Sequence, residues 1–242
     1  MTTKQYHILN GDALAHQLPP DIKGERIIMR ECLIDFLFGE WHDKDFFEER
    51  ARYLSEIYEE IDAHDYHEKC VPEFEKMANI PADIPVNFWF EDDLFCQTNL
   101  WFVIYFLLKN EKTNPLFLIR PDDNLLYGFG GLSELELSDI YQQKTRIIQP
   151  ELFADLWQYY ASDDKEKLQQ IAEQINPTFP FVAAAVTARI DYPHRPMATL
   201  KSIMNVSSSG DFDVIFKLFS EREAIYGLGD LQVRRMMEGI GW

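Results

Sequence analysis

Short β-rich runs alternate with helical periodicity over residues 1–120, and strand signals nearly vanish afterwards. The hydrophobic fraction of 46% and aromatic fraction of 14% are enough for a large buried core. These observations predict an α/β fold: a mainly parallel, Rossmann-like sheet in the N-terminal half followed by an all-helical C-terminal region. The 242 residues suit an α/β domain over 1–124 and a helical domain over 125–242, with the boundary near 125–132.

Residues 6–9 (YHIL) read as the first strand, and 13–18 as a short helix stopped by Pro19 and Pro20. A second strand fits 26–29 (RIIM), and helical periodicity follows over 45–61 and 68–77, with a break near 62–65. Residues 86–90 (VNFWF) form the third strand and 116–119 (LFLI) the fourth. Between them, 94–108 reads as a buried helix. Its apolar run NLWFVIYFLL is far shorter than the roughly 20 residues needed to span a membrane. Beyond the fourth strand, Ser133 and Glu136 have the spacing of a capping box at the start of a helix over 135–142. Further helices are expected over 150–160, 165–174, 180–190, 198–204, 212–222 and 231–240, with Asp230 as the cap of the last.

The formal charge is −18. Residues 1–120 carry 12 basic and 23 acidic side chains, 121–193 carry 5 and 12, and 194–242 carry 6 and 6. No positive field exists to attract phosphates, so nucleic acid and anionic membranes are poor default partners. The neutral tail has a helix–turn–helix-like arrangement over 211–240 with Arg234 and Arg235 exposed, but lacks the basic face of a DNA reader. A structural bundle is the expectation there. Three cysteines without CxxC spacing, and an N-terminus without a basic segment leading into an apolar run, point to reduced thiols in a cytoplasmic protein.

In open parallel sheets, ligands bind beyond the carboxyl ends of the strands, where the strand order reverses. The first strand runs into Asn10, Gly11 and Asp12, where Gly11 permits a tight turn and Asp12 can cap the next helix. The second runs into Arg30, Glu31 and Cys32, with Asp35 shortly after, and the third into Glu91, Asp92 and Asp93, with Gln97 one helical turn on. The expected pocket is acidic, with Asp12, Glu31 and Glu91 as acid–base or cation-binding candidates and Asn10, Gly11, Arg30 and Gln97 as ligand-binding ones. Such chemistry suits a small polar molecule such as a nucleoside or sugar derivative. The alternative is a regulatory module whose helical half docks a protein partner.

Other motifs carry less. GFGG at 128–131 departs from the dinucleotide fingerprint in spacing and position, and reads as the entry to the Ser133 helix. Glu60, His64, His67, Glu68 and Cys70 read as a solvated charge run, so no metal site is expected, and no cofactor is named by any motif. His7 alternates with Leu9 and reads as a hydrogen-bonded core histidine. Cys32 and Cys96 have acidic surroundings and read as buried, inert thiols.

The segments HILNGD (7–12), RECLID (30–35), FEERA (47–51) and WFEDDLFCQ (89–97) resemble the bacterial family called domain of unknown function 1835. GLSE (131–134) and GLGDLQ (227–232) are similar to segments of its longer members. The resemblance implies an α/β domain followed by a helical region, in a bacterial protein, and carries no particular activity. It adds Arg50 to the ligand-binding candidates. Ala13 after Asn-Gly-Asp stands where a small hydroxyl residue or alanine is expected, which weakens any nucleophilic serine.

Overall fold

In a computed structural model of the chain, the described residues are 4–35, 46–121, 128–207 and 210–241. Five strands, β1 (Tyr6–Asn10), β2 (Glu25–Met29), β3 (Val86–Trp89), β4 (Leu116–Ile119) and β5 (Thr145–Ile147), form one sheet in the order β2-β1-β3-β4-β5. The first four are parallel and β5 runs antiparallel to β4. The chain places β2 on one side of β1 and then returns to place β3 on the other, so the order reverses between β1 and β3.

Alternation along the strands divides the core in two, because successive side chains point to opposite faces. Ile8, Ile27, Phe88 and Leu118 enter one large cluster. Leu9, Trp89 and Ile119 enter a smaller one with Leu14 of α1 (Asp12–Gln17) and Leu137 of α6 (Glu134–Gln142). On the larger face lie α2 (Phe46–Ile57), α4 (Val71–Ala78) and the central helix α5 (Leu94–Lys109), while α3 (Ala63–Lys69) packs on α2 in a third cluster of Ala51, Leu54, Tyr58, Tyr66 and Cys70. The start of the expected helix at residue 45 lies outside the described residues. The expected helix over 68–77 is two helices that meet at Cys70, with Pro72 in the first turn of α4.

Helix α5 is apolar on all sides beyond Asn99, as suits a helix buried on every side, and carries the buried polar residues Gln97, Thr98 and Asn99 in its first turns. Phe102 packs on Trp157 with ring centroids 4.8 Å apart. Trp157 belongs to α7 (Pro150–Ala161), which begins a succession continued by α8 (Lys165–Ile175), α9 (Phe181–Asp191), α10 (His194–Val206), α11 (Phe212–Arg222) and α12 (Asp230–Glu238). None of the helices searched is long and apolar enough to cross a membrane.

The expectation of an all-helical C-terminal region is corrected by β5. Its three residues leave Thr145 and Arg146 exposed, too short and too polar a segment to give a strand pattern. Sheet and large core therefore both extend past residue 125, and that core runs from Tyr6 to Met237. Part of the expected boundary, 125–127, lies outside the described residues.

Cooperative unfolding follows from that continuity. Near-ultraviolet and far-ultraviolet circular dichroism should report one coincident urea transition. Phe102→Ala should lower both midpoints together, at a cost of about 3–5 kcal/mol. Separate transitions for the two signals would show that the halves fold independently.

Candidate functional site

The carboxyl edge of the sheet is organised by the first two turns of α5. Asp93 caps the helix by accepting the Cys96 N–H at 2.9 Å. Cys96 Sγ accepts from Asn10 Nδ2 at 3.0 Å, which ties the end of β1 to the helix. Asn99 uses both ends of its amide: Nδ2 donates to Asn10 Oδ1 at 2.9 Å and to the Glu31 carbonyl at 2.6 Å, and Oδ1 accepts from Leu33 N–H at 3.1 Å. Gln97 Nε2 donates to the Glu91 carbonyl at 2.7 Å, while its buried Oε1 has no partner among the described residues.

The structure thus brings Asn10, Glu91 and Gln97 together, through Cys96 and Asp93, at the sheet edge where the strand order reverses. Ligand atoms of Glu91, Asp93 and Cys96 all lie within 4.8 Å of one another. Burial pushes the Glu91 carboxyl up to about 7; the Phe129 N–H, which donates at 2.8 Å, works against the rise, and Asp93 and Asp92 add to it. Burial also raises Asp93, against the N–H groups of the helix start. The Cys96 thiol is held well above its ordinary value by burial and then by the Asp93 and Glu91 carboxylates. Two carboxylates and a thiol at this separation are a donor set that one divalent cation binds with release of the thiol proton.

Two glycines from distant parts of the chain close over this group. Gly128, with φ of +50°, approaches the Glu91 carboxylate so closely that a Cβ would fall 2.1 Å from it. Gly227, with φ of +63°, presses on Asp93, where a Cβ would fall 1.9 Å from Oδ1. Only glycine fits either place without displacement. The GFGG segment is therefore more than a helix entry: it forms a 3-10 turn whose Phe129 N–H holds Glu91.

The other predicted residues fall into two neighbouring groups. Gly11 has the expected positive φ, 99°, but it occupies the cap position of α1 itself. The expected capping by Asp12 is corrected accordingly: Asp12 is the first helical residue, and its carboxylate receives two hydrogen bonds of 2.8 Å from Arg30 Nε and NH2. Those bonds hold the Asp12 carboxyl below its usual value, so it stays ionised at neutral pH. Gly229 likewise takes the cap position expected of Asp230.

Glu31 and Arg50 form a buried ion pair, with NH2 to Oε2 at 2.7 Å. Tyr66 donates its hydroxyl to Glu31, and Arg50 NH1 donates to the Asp35 carbonyl at 2.8 Å. Arg30, Glu31 and Cys32 line a cavity of about 320 Å³ with Asp62, Asp65 and Tyr66. Burial pushes the Cys32 thiol up to about 12, which fits an inert thiol. His7 is the expected core histidine: Trp89 Nε1 donates to its Nδ1 at 3.0 Å, and burial lowers it to about 4. His64 is exposed and pairs with Glu68 at 3.3 Å.

Asp93, Cys96 and Asn99 are legible in the sequence only as one of three acidic residues after the third strand, an inert thiol and part of an apolar run. A polar amide inside that run is the available signal, since a buried amide must find partners.

Arg50→Leu alone strands the Glu31 carboxylate and should cost about 3–5 kcal/mol in urea unfolding. Glu31→Leu combined with Arg50→Leu should cost less than Arg50→Leu, and a double variant less stable than the single one contradicts this account. For Glu91, the folded value of about 7 lies above the ordinary 4.5, so its stabilising contribution is complete below pH 4.5 and lost as pH rises through 7. Glu91→Gln should therefore match the wild type at low pH and become more stable by up to roughly 3 kcal/mol at pH 7.5. A difference independent of pH contradicts the assignment. Comparisons with family models, curated proteins and solved structures find no match to this chain.

Proposed function

We propose that the protein binds a small polar metabolite, a nucleoside or sugar derivative, at the crevice between β1 and β3 of a Rossmann-like sheet. In this reading Glu91 exchanges a proton with the ligand. The observation that carries the proposal is the convergence of Glu91, Asp93 and Cys96 within 4.8 Å at the reversal of strand order. A carboxyl group that titrates near neutrality is matched to proton transfer at physiological pH, whereas an ordinary carboxylate is too weak a base and too rarely protonated.

The surrounding groups suit orientation rather than proton transfer. Gln97 offers an unsatisfied amide oxygen to a ligand hydroxyl or N–H, and Asn10 stands at the end of β1 beside Cys96. Asp12 and Arg30 form a partly exposed, charge-compensated pair on the same sheet edge.

The test is a thermal-shift screen of the intact chain against nucleosides, sugars and divalent ions, repeated with Glu91→Gln and Asp12→Asn. A ligand at 100 times its Kd adds about 2.7 kcal/mol of stability. At least one nucleoside or sugar should raise the wild-type midpoint by a shift that Glu91→Gln mostly loses. Asp12→Asn should weaken it by a smaller factor. A panel without any shift, or one in which both variants keep every shift, overturns the proposal.

A further inference from the structure

A cavity of about 400 Å³ opens where the segment after β2 meets α2, the start of α10 and α12. None of Glu91, Asp93 and Cys96 lines it. Its size lies within the range of small-ligand sites, and its walls come from both the sheet-bearing half and the helical half.

The chemistry of the walls is specific. Tyr53 and Tyr192 supply aromatic surface, and neither hydroxyl has a hydrogen-bond partner among the described residues. At one edge lies Asp35, only 7% exposed. Its backbone carbonyl is fixed by Arg50 NH1 at 2.8 Å, and Oδ2 accepts the Tyr58 hydroxyl at 2.5 Å. Its other oxygen faces Arg235 NH1 at 3.5 Å, a separation that leaves hydrogen-bonding capacity on both groups. Gln232 of α12 lines the same cavity; its side-chain oxygen is engaged by the Gly229 N–H at 3.0 Å.

A carboxylate and a guanidinium side by side cancel in charge, so neither a simple anion nor a simple cation is favoured. They offer an acceptor next to a forked donor in a cavity that two tyrosines also line. The matching ligand is planar and uncharged, with adjacent N–H donors beside a carbonyl acceptor. Guanine has that edge: N1–H and the N2 amino group suit Asp35, and O6 suits Arg235. Base stacking on tyrosine rings adds affinity without sequence-like specificity.

We propose that this cavity binds a guanine-type purine, as free base or nucleoside, with Asp35 and Arg235 reading its polar edge and Tyr192 covering its face. The site is separate from Glu91 and stands whether or not the strand-edge crevice binds a ligand.

Calorimetric titration of the full chain with guanosine, adenosine, uridine and glucose tests it. Guanosine should bind, and adenosine, which lacks the paired donors, should bind at least tenfold more weakly. Arg235→Lys keeps the charge opposite Asp35 but removes the fork, and Tyr192→Leu removes the ring; each should weaken guanosine at least fivefold with an unchanged circular dichroism spectrum. Glu91→Gln should bind guanosine as the wild type does. The proposal is overturned by no guanosine binding at millimolar concentration, by equal binding in both cavity variants, or by preference for uridine or glucose. Loss of guanosine binding in Glu91→Gln but not in Arg235→Lys overturns it as well, and places the purine at the strand edge instead.

Discussion

The amino end of α5 is buried beneath the carboxyl edge of the sheet, and the polar groups there must find their partners inside the protein. An unsatisfied buried donor or acceptor costs about 1–3 kcal/mol, so each partner chosen constrains a further piece of backbone. Asp93 satisfies the first turn and Asn99 joins the ends of β1 and β2 across one amide. Asn10 is left pointing at Cys96 and the Glu31 loop is left facing Arg50. The contacts at the strand ends thus trace back to Asp93 at the cap of α5 and to Cys96 and Asn99 within it.

Buried carboxyl groups at this edge meet two different fates. Glu31 is given a guanidinium, a phenol and a backbone N–H as hydrogen-bond donors. Glu91 is given one N–H of comparable closeness and two acidic neighbours, so burial favours its neutral form. The first arrangement fixes the segment between β2 and α2. The second leaves a group poised to gain or lose a proton near neutral pH. A chain with a formal charge of −18 has many carboxylates, and those of Glu48 and Glu68, for example, lie exposed on helix faces in loose pairs with histidines. Position relative to the sheet edge distinguishes Glu91.

The strands β1 to β4 are legible in the sequence because buried parallel strands are written as compact apolar runs, and the polar residues just beyond those runs include Asn10, Arg30, Glu31 and Glu91. Asp12 and Asp230 have the sequence appearance of caps without being caps, for one shared reason: a glycine precedes each and takes the cap position itself. Strand β5 is invisible because three residues on a polar edge carry no period. Gly128 and Gly227 are the hardest to anticipate. Their contacts with Glu91 and Asp93 join segments far apart in the chain, and no local pattern encodes such an approach. Cys96 and Asn99 lie hidden in the hydrophobic run that makes α5 easy to find.

The account turns on whether the strand-edge crevice keeps a carboxyl group neutral that water would ionise. Carbon-13 NMR of the Glu91 side-chain carboxyl, followed from pH 3 to pH 9 in the folded protein, measures this directly. A midpoint near 7 is the predicted result. A midpoint at the ordinary value of 4.5 would contradict it, and with it the proposed proton exchange at the strand edge.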